Sequence, residues 1–148
     1  SVTLDDPHTF YATPNLDQNR KIDVKTLYWW MQQSDESRSL FKEQPYNLEH
    51  TLTKFNEWLK SFHLDHYDFR VWSQGPAFDV VIMEDAYRQL GMKIPWKFRN
   101  ARDTRTAYDL AYDRAIPEDV AHVSWLDAVG QAFRVQEAYR TIYQRRSE

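Results

Sequence analysis

The stretch Val71-Trp72-Ser73-Gln74-Gly75-Pro76-Ala77-Phe78-Asp79-Val80-Val81-Ile82 constrains the fold more than any other. It reads as the end of a short apolar strand, Phe69 to Trp72, then a Gly-Pro turn, then an apolar helix from Phe78 to Leu90. Gly91 is the C-terminal stop of that helix. Asp79 sits where the strand hands over to the helix. A carboxylate is thereby placed at the carboxyl end of a strand, the usual location for chemistry in an α/β sheet.

The flanking segments extend the same alternation. Val2 to Pro7 reads as the end of a strand, and Thr9 to Thr13 as a second strand stopped by Pro14-Asn15, the two forming a hairpin. Asp23 is a helix N-cap, with Ile22 stapled on Leu27 and with Leu27, Trp30 and Met31 as the buried face. Ser34 caps a short second helix with Leu40 and Phe41 as anchors, ended by Pro45. Leu48, Leu52, Phe55, Leu59 and Phe62 follow the spacing of one apolar helical face. A polar turn, His63 to Asp68, leads into the strand before Asp79.

Beyond Gly91, Ile94 to Phe98 is a short extended piece, and Asp103 caps a helix from Thr104 to about Asp113. Ile116 to Asp119 is a loop. A last helix runs from about Ser124 to the C-terminus with Trp125, Ala128, Ala132, Val135, Tyr139 and Ile142 on one face. Gly130 inside it costs about 1 kcal/mol relative to alanine and marks a close packing contact. The fold class expected is α/β, and a chain of 148 residues fits a single domain over 1–148.

Composition narrows the chemistry. There is no cysteine, which excludes disulfides, thiolate catalysis and Cys-type zinc sites. A net charge of −3 removes any global basic field for nucleic acid and leaves only a local site. No apolar run is long enough to span a bilayer, so a membrane partner is not expected and cytoplasm is the default location.

The pattern Gln74-x-x-x-Phe78-Asp79 is followed by His122-x-x-x-x-Asp127 at the start of a helix. The first resembles the second motif of the DEDD nucleases, usually Asn-x-x-x-Phe/Tyr-Asp, with Gln74 in the amide position. The second resembles the third motif of the DEDDh 3′-5′ exonucleases. Two further segments, Lys25 to Ser34 and Pro95 to Thr106, resemble a phage and prophage branch that includes T4-type exonuclease A and proteins labelled exodeoxyribonuclease VIII. The resemblance covers nearly the whole chain.

It implies a ribonuclease H-like fold, a mixed sheet flanked by helices, and cleavage of single-stranded DNA or RNA ends with two Mg²⁺ or Mn²⁺ ions about 4 Å apart. Asp79 and Asp127 would be metal ligands. His122 would be the general base, since imidazole titrates near neutral pH. Gln74, Phe78, Trp96, Lys97, Arg102 and Arg105 would contact the substrate. Lys97, Arg99, Arg102 and Arg105 form the densest basic run, a path for a nucleic-acid backbone. Trp72, Trp96 and Phe98 are candidates to stack on bases.

Each residue also has a plain structural explanation. Asp79 in a first helical turn is favoured by the dipole alone. Ser124-x-x-Asp127 resembles a capping box. Asp103 reads as an N-cap, and one of Arg102 and Arg105 as a partner of the fold rather than of phosphate. Aromatic residues are mostly core.

The DEDD pattern also needs an Asp-x-Glu strand, and none precedes Asp79. The expectation is therefore an N-terminally truncated domain, with an incomplete metal site and weak or no cleavage by this chain alone. Its exposed sheet edge would be open to a second copy or a partner chain. The alternative function is a catalytically inactive relative that binds nucleic acid or protein.

Overall fold

The computed structural model describes residues 8–15, 18–39, 46–62, 69–112 and 124–145, and divides into two compact units, Ser1–His63 and Leu64–Glu148. The expected strand Val2 to Pro7, the anchors Leu40 and Phe41, Pro45, the turn His63 to Asp68, the loop Ile116 to Asp119 and His122 lie outside the described residues.

In the first unit, α1 (Val24–Met31) starts at Asp23, whose carboxylate accepts the Thr26 N–H at 2.7 Å. The helix forms where its cap predicts, but the face expected to be buried is not. No residue of α1 is buried, and Leu27 and Met31 are exposed. Ile22 is exposed too, so the staple buries little. Ser34 caps α2 (Asp35–Ser39) through a bond from the Ser37 N–H.

Asn47 caps α3 (Leu48–Ser61), accepting the His50 N–H at 2.8 Å. Its expected apolar face is real, with Leu52 buried at its centre. Around it, Phe10, Phe55, Trp58 and Phe62 form a chain of aromatic contacts at centroid distances of 5.0–5.8 Å. Thr9 to Thr13 is not a strand. Its β-propensity finds no ladder among the described residues, only a bridge from Pro14 to Tyr46.

The second unit is a β–α–β crossover extended by two helices. β1 (Val71–Ser73) pairs in parallel with β2 (Ala101–Asp103), in the register Val71↔Ala101, Trp72↔Arg102, Ser73↔Asp103. The connection is α4 (Asp79–Gln89), the kind of crossover that parallel strands require. Gly91, at φ +61°, ends α4. Its N–H bonds the Arg88 carbonyl and the Met92 N–H bonds the Tyr87 carbonyl at 2.9 Å, the two-bond closure that a left-handed glycine permits.

Val80, Ala86, Tyr87 and Trp96 are buried along this crossover. The segment Ile94 to Phe98 is not extended throughout: it bends at Pro95 and Trp96, and Phe98 opens a 3-10 turn, Phe98–Asn100, that leads into β2. Asn100 Nδ2 donates to the Phe69 carbonyl at 3.1 Å, which holds the two strand entrances together.

After β2 the chain enters α5 (Thr104–Ala111) directly, capped by Asp103 as expected. α5 packs on α6 (Ser124–Arg145) through Ala107, Tyr108, Ala111, Val135 and Ala138, with Trp72, Tyr139 and Ile142 against that cluster. The expected α6 face is therefore correct from Val135 onward. Ala128 and Ala132, on its N-terminal half, are exposed.

The close contact expected at Gly130 is absent: a Cβ there would meet nothing within 4 Å. Gly130→Ala is accordingly expected to stabilise the protein by about 0.5–1 kcal/mol, because glycine carries the larger entropy cost in a helix. Urea denaturation of the variant checks it, and a loss of stability would reveal a packing constraint at this position.

Candidate active site

The register of the two strands fixes the site. Ser73, the last residue of β1, lies opposite Asp103, the last of β2. The chain leaves β1 through Gln74-Gly75-Pro76 and leaves β2 straight into α5. Both α4 and α5 therefore begin at the carboxyl end of the sheet, and their N-terminal dipole ends favour negative charge there.

Gly75 has φ +104°, a conformation that residues with a Cβ rarely adopt. A Cβ at this position would lie 3.7 Å from Arg105 Nη1, so the guanidinium of α5 reaches over the turn that follows β1. The Gly75 carbonyl accepts the N–H groups of Phe78 at 2.9 Å and Asp79 at 3.3 Å. These bonds set the first turn of α4 and put Asp79 in it.

Two influences oppose each other at the Asp79 carboxyl. Partial desolvation raises it above the usual carboxylate range, and the Arg105 guanidinium pulls it back. Desolvation wins. Asp79 and Arg105 thus form one electrostatic unit across the two strand ends. Arg105 is held in place by its own backbone, whose N–H bonds the Asp103 carboxylate at 3.0 Å.

The other expected site residues divide. Arg102 Nη1 donates to the carbonyls of Arg99 at 2.7 Å and Ala101 at 2.8 Å, which braces the turn before β2. Trp96 is buried, its Nε1 donates to Glu84 at 3.2 Å, and its ring meets Tyr87 edge-on. It holds α4, and no ring face is presented for stacking. Phe78 and Phe98 are exposed, Phe98 at 87 %. Gln74 and Lys97 are half-buried. Asp127 is half-buried in the first turn of α6. The Ser124 side chain lies outside what is described, and with it the expected capping box.

A divalent-cation site needs several hard oxygen ligands in one place. Asp79 and Asp127 have the right chemistry. Among the described residues, however, no group of three or more His, Cys, Asp or Glu side chains comes together, and the cation of Arg105 acts on Asp79. The described residues do not by themselves fit a two-metal centre.

Between β1, α5 and α6 lies a cavity that the sequence did not announce. Trp72 of β1, Thr104 of α5, and Gln131 and Gln136 of α6 are among the residues lining it. Neutral polar residues on a long helix carry no sequence signal of a pocket, and Thr104 reads only as the residue after a cap.

A family model described as the 3′-5′ exoribonuclease Rv2179c-like domain matches residues 3–139. The exodeoxyribonuclease of Enterobacteria phage T4 is 27 % identical over 103 residues, 60 % of this chain and 45 % of the phage protein. The chain thus spans about half the length of that curated relative. No solved structure matches the chain.

Proposed function

The chain belongs to the 3′-5′ exoribonuclease Rv2179c-like domain family, and from that premise we propose that it cleaves phosphodiester bonds at the 3′ ends of single-stranded RNA or DNA. The observation that carries this reading is the corner at the carboxyl end of the sheet. There Asp79, in the first turn of α4, faces the field of Arg105 from α5 beside the Gly75 turn. An Arg fork and two helix N-termini suit a phosphate oxyanion, and the carboxylate is the charged group beside it.

In this reading both units, with the family match running through each, act as one nuclease domain of ribonuclease H-like fold. Mg²⁺ or Mn²⁺ is the cofactor that the resemblance implies; Asp79 and Asp127 would be among the residues to hold it, with further ligands required from outside the described residues, and His122 would act as base. Gln74, Phe78 and Lys97 line the approach of the strand. The test uses protein in excess over strand. RNA and DNA decamers, labelled at the 5′ end, are incubated with Mn²⁺ or with chelator. A metal-dependent ladder shortening from the 3′ end is the expected result. Strands bound but left intact would replace the nuclease by a non-catalytic nucleic-acid binder, and internal or 5′ cuts would contradict the polarity.

A further inference from the structure

Helix α1 carries a regular apolar stripe that its own unit does not bury. Val24, Leu27, Tyr28 and Met31 are spaced i, i+3, i+4 and i+7, the repeat of one helical face. They are residues that a core would take, yet each is between 48 % and 63 % exposed. Ile22, just before the cap, extends the stripe and is exposed as well. Away from the stripe, the Trp29 and Trp30 rings meet edge-on at a centroid distance of 4.9 Å, and Trp30 is half-buried.

This arrangement is costly. A helix of eight residues is marginal in water by itself, and short helices take most of their stability from a packed face. The Asp23 carboxylate ties down the first turn through the N–H and hydroxyl of Thr26. Among the described residues nothing buries the stripe.

The charges around the stripe indicate what covers it. Lys21 and Lys25, both exposed, flank its N-terminal end. Asp35 and Glu36 follow its C-terminal end in the sequence. A helix dipole prefers the reverse, acids in the first turn and bases in the last, and α1 has neither. Within one copy Asp35 pairs with Arg38, an exposed pair that contributes little.

A second α1 laid antiparallel on the stripe corrects both ends at once. The lysines of each copy then lie beside the carbonyl end of the other helix and the acids that follow it. Val24 of one copy faces Met31 of the other, and the Leu27 and Tyr28 side chains meet about the two-fold axis, a self-complementary contact. The largest apolar patches on single chains run to roughly 300–600 Å². Two facing each other come to about 1,000 Å², the lower limit of a stable interface.

We propose that the exposed α1 stripe is a self-association surface, on which a second copy of this chain lays its own α1 antiparallel, with Lys21 and Lys25 of each copy facing Asp35 and Glu36 of the other. The pairing uses no residue of the Asp79 corner and stands whether or not the chain cleaves nucleic acid.

Sedimentation velocity of the full chain tests it. Between about 1 µM and about 200 µM the protein is expected to pass from monomer to dimer, with a Kd on the order of 10 µM. High salt should weaken the dimer, because the charges that align it are exposed. Leu27→Glu sets a charge in the stripe at an exposed position and is expected to weaken association at least ~tenfold, with the helical circular dichroism retained.

Two charge variants test the orientation. Lys21→Glu with Lys25→Glu makes both ends of the stripe acidic, and Asp35→Lys with Glu36→Lys makes both basic. Each variant alone should lose the dimer. Glutamate in the first turn suits the dipole of α1, so the acidic variant keeps its helix. Mixed in equal amounts, the two should pair with each other, since every end contact again joins opposite charges. A monomer throughout the concentration range would overturn the proposal and leave the stripe to a different protein. A dimer that Leu27→Glu leaves intact would overturn it too, by placing the contact elsewhere. Two monomeric variants that fail to pair when mixed would overturn the antiparallel arrangement.

Discussion

Asp79→Ala is expected to slow shortening of a 5′-labelled strand by about 10²-fold or more, the scale on which removal of a charged catalytic group is usually felt. The fold should survive the change. Phe78, not Asp79, occupies the cap position of α4, and no side chain caps that helix. Asp79 is exposed, and desolvation already works against its ionised form.

The carboxyl titrates higher in the folded protein than in the unfolded chain, so ionised Asp79 disfavours the fold. That cost is absent below the unfolded pKa and is fully present above the folded one. Asp79→Asn should therefore melt higher than the parent near neutral pH and should match it near about pH 3. The rate should show the same group from the other side. Its acid limb should lie at higher pH than an ordinary carboxylate gives, and Arg105→Gln should move it higher still, because the guanidinium is what holds the carboxyl down. Asp109→Ala, an exposed acid on α5, is the control. Loss of rate with Asp109→Ala equal to that with Asp79→Ala would show a general charge effect and remove Asp79 from the site.

The parts of this fold that the sequence made legible are those fixed by neighbours along the chain. Asp23, Ser34 and Asp103 cap helices, and Gly91 stops one, because each acts on backbone groups within a few residues. The α3 face could be read from its spacing for the same reason. β2 could not. Ala101-Arg102-Asp103 has no β-branched residue, and it is a strand because β1 pairs with it. Thr9 to Thr13 errs the other way, with the right residues and no ladder.

The candidate site divides along the same line. Asp79 was visible, since strand, turn and helix are consecutive. The approach of Arg105 to Gly75 was not, since it follows from the register Ser73↔Asp103 between segments far apart in sequence. Trp96 was expected at the substrate, yet only its burial and its bond to Glu84 show that it belongs to the packing of α4. Burial of a single tryptophan depends on what the rest of the chain brings to it, and no local pattern encodes that.

The largest loss of stability is expected for Tyr87→Ala. Tyr87 has no exposed surface, and burial pushes its phenol well above the usual range. Its ring meets Trp96 at a centroid distance of 6.0 Å and an interplanar angle of 83°, the edge-to-face geometry that aromatic pairs prefer. Trp96 in turn donates to Glu84, which also accepts from Arg88 at 2.6 Å. Truncation leaves a cavity the size of a ring and strips Trp96 of that contact. The expected cost is about 3–5 kcal/mol, a large share of the roughly 5–15 kcal/mol that holds a domain together.

Tyr87→Phe keeps the ring and the edge contact and is expected to cost about 1.5 kcal/mol or less, the scale of one hydrogen bond. Urea denaturation separates the two, and an alanine variant within 1 kcal/mol of the parent on that same scale would remove Tyr87 from the core. The consequence reaches the site because Tyr87 anchors the same helix whose first turn carries Asp79. A loosened α4 lets the carboxylate drift from Arg105, so Tyr87→Ala should lower cleavage even at temperatures where the protein remains folded, while Tyr87→Phe should leave it near the parental rate.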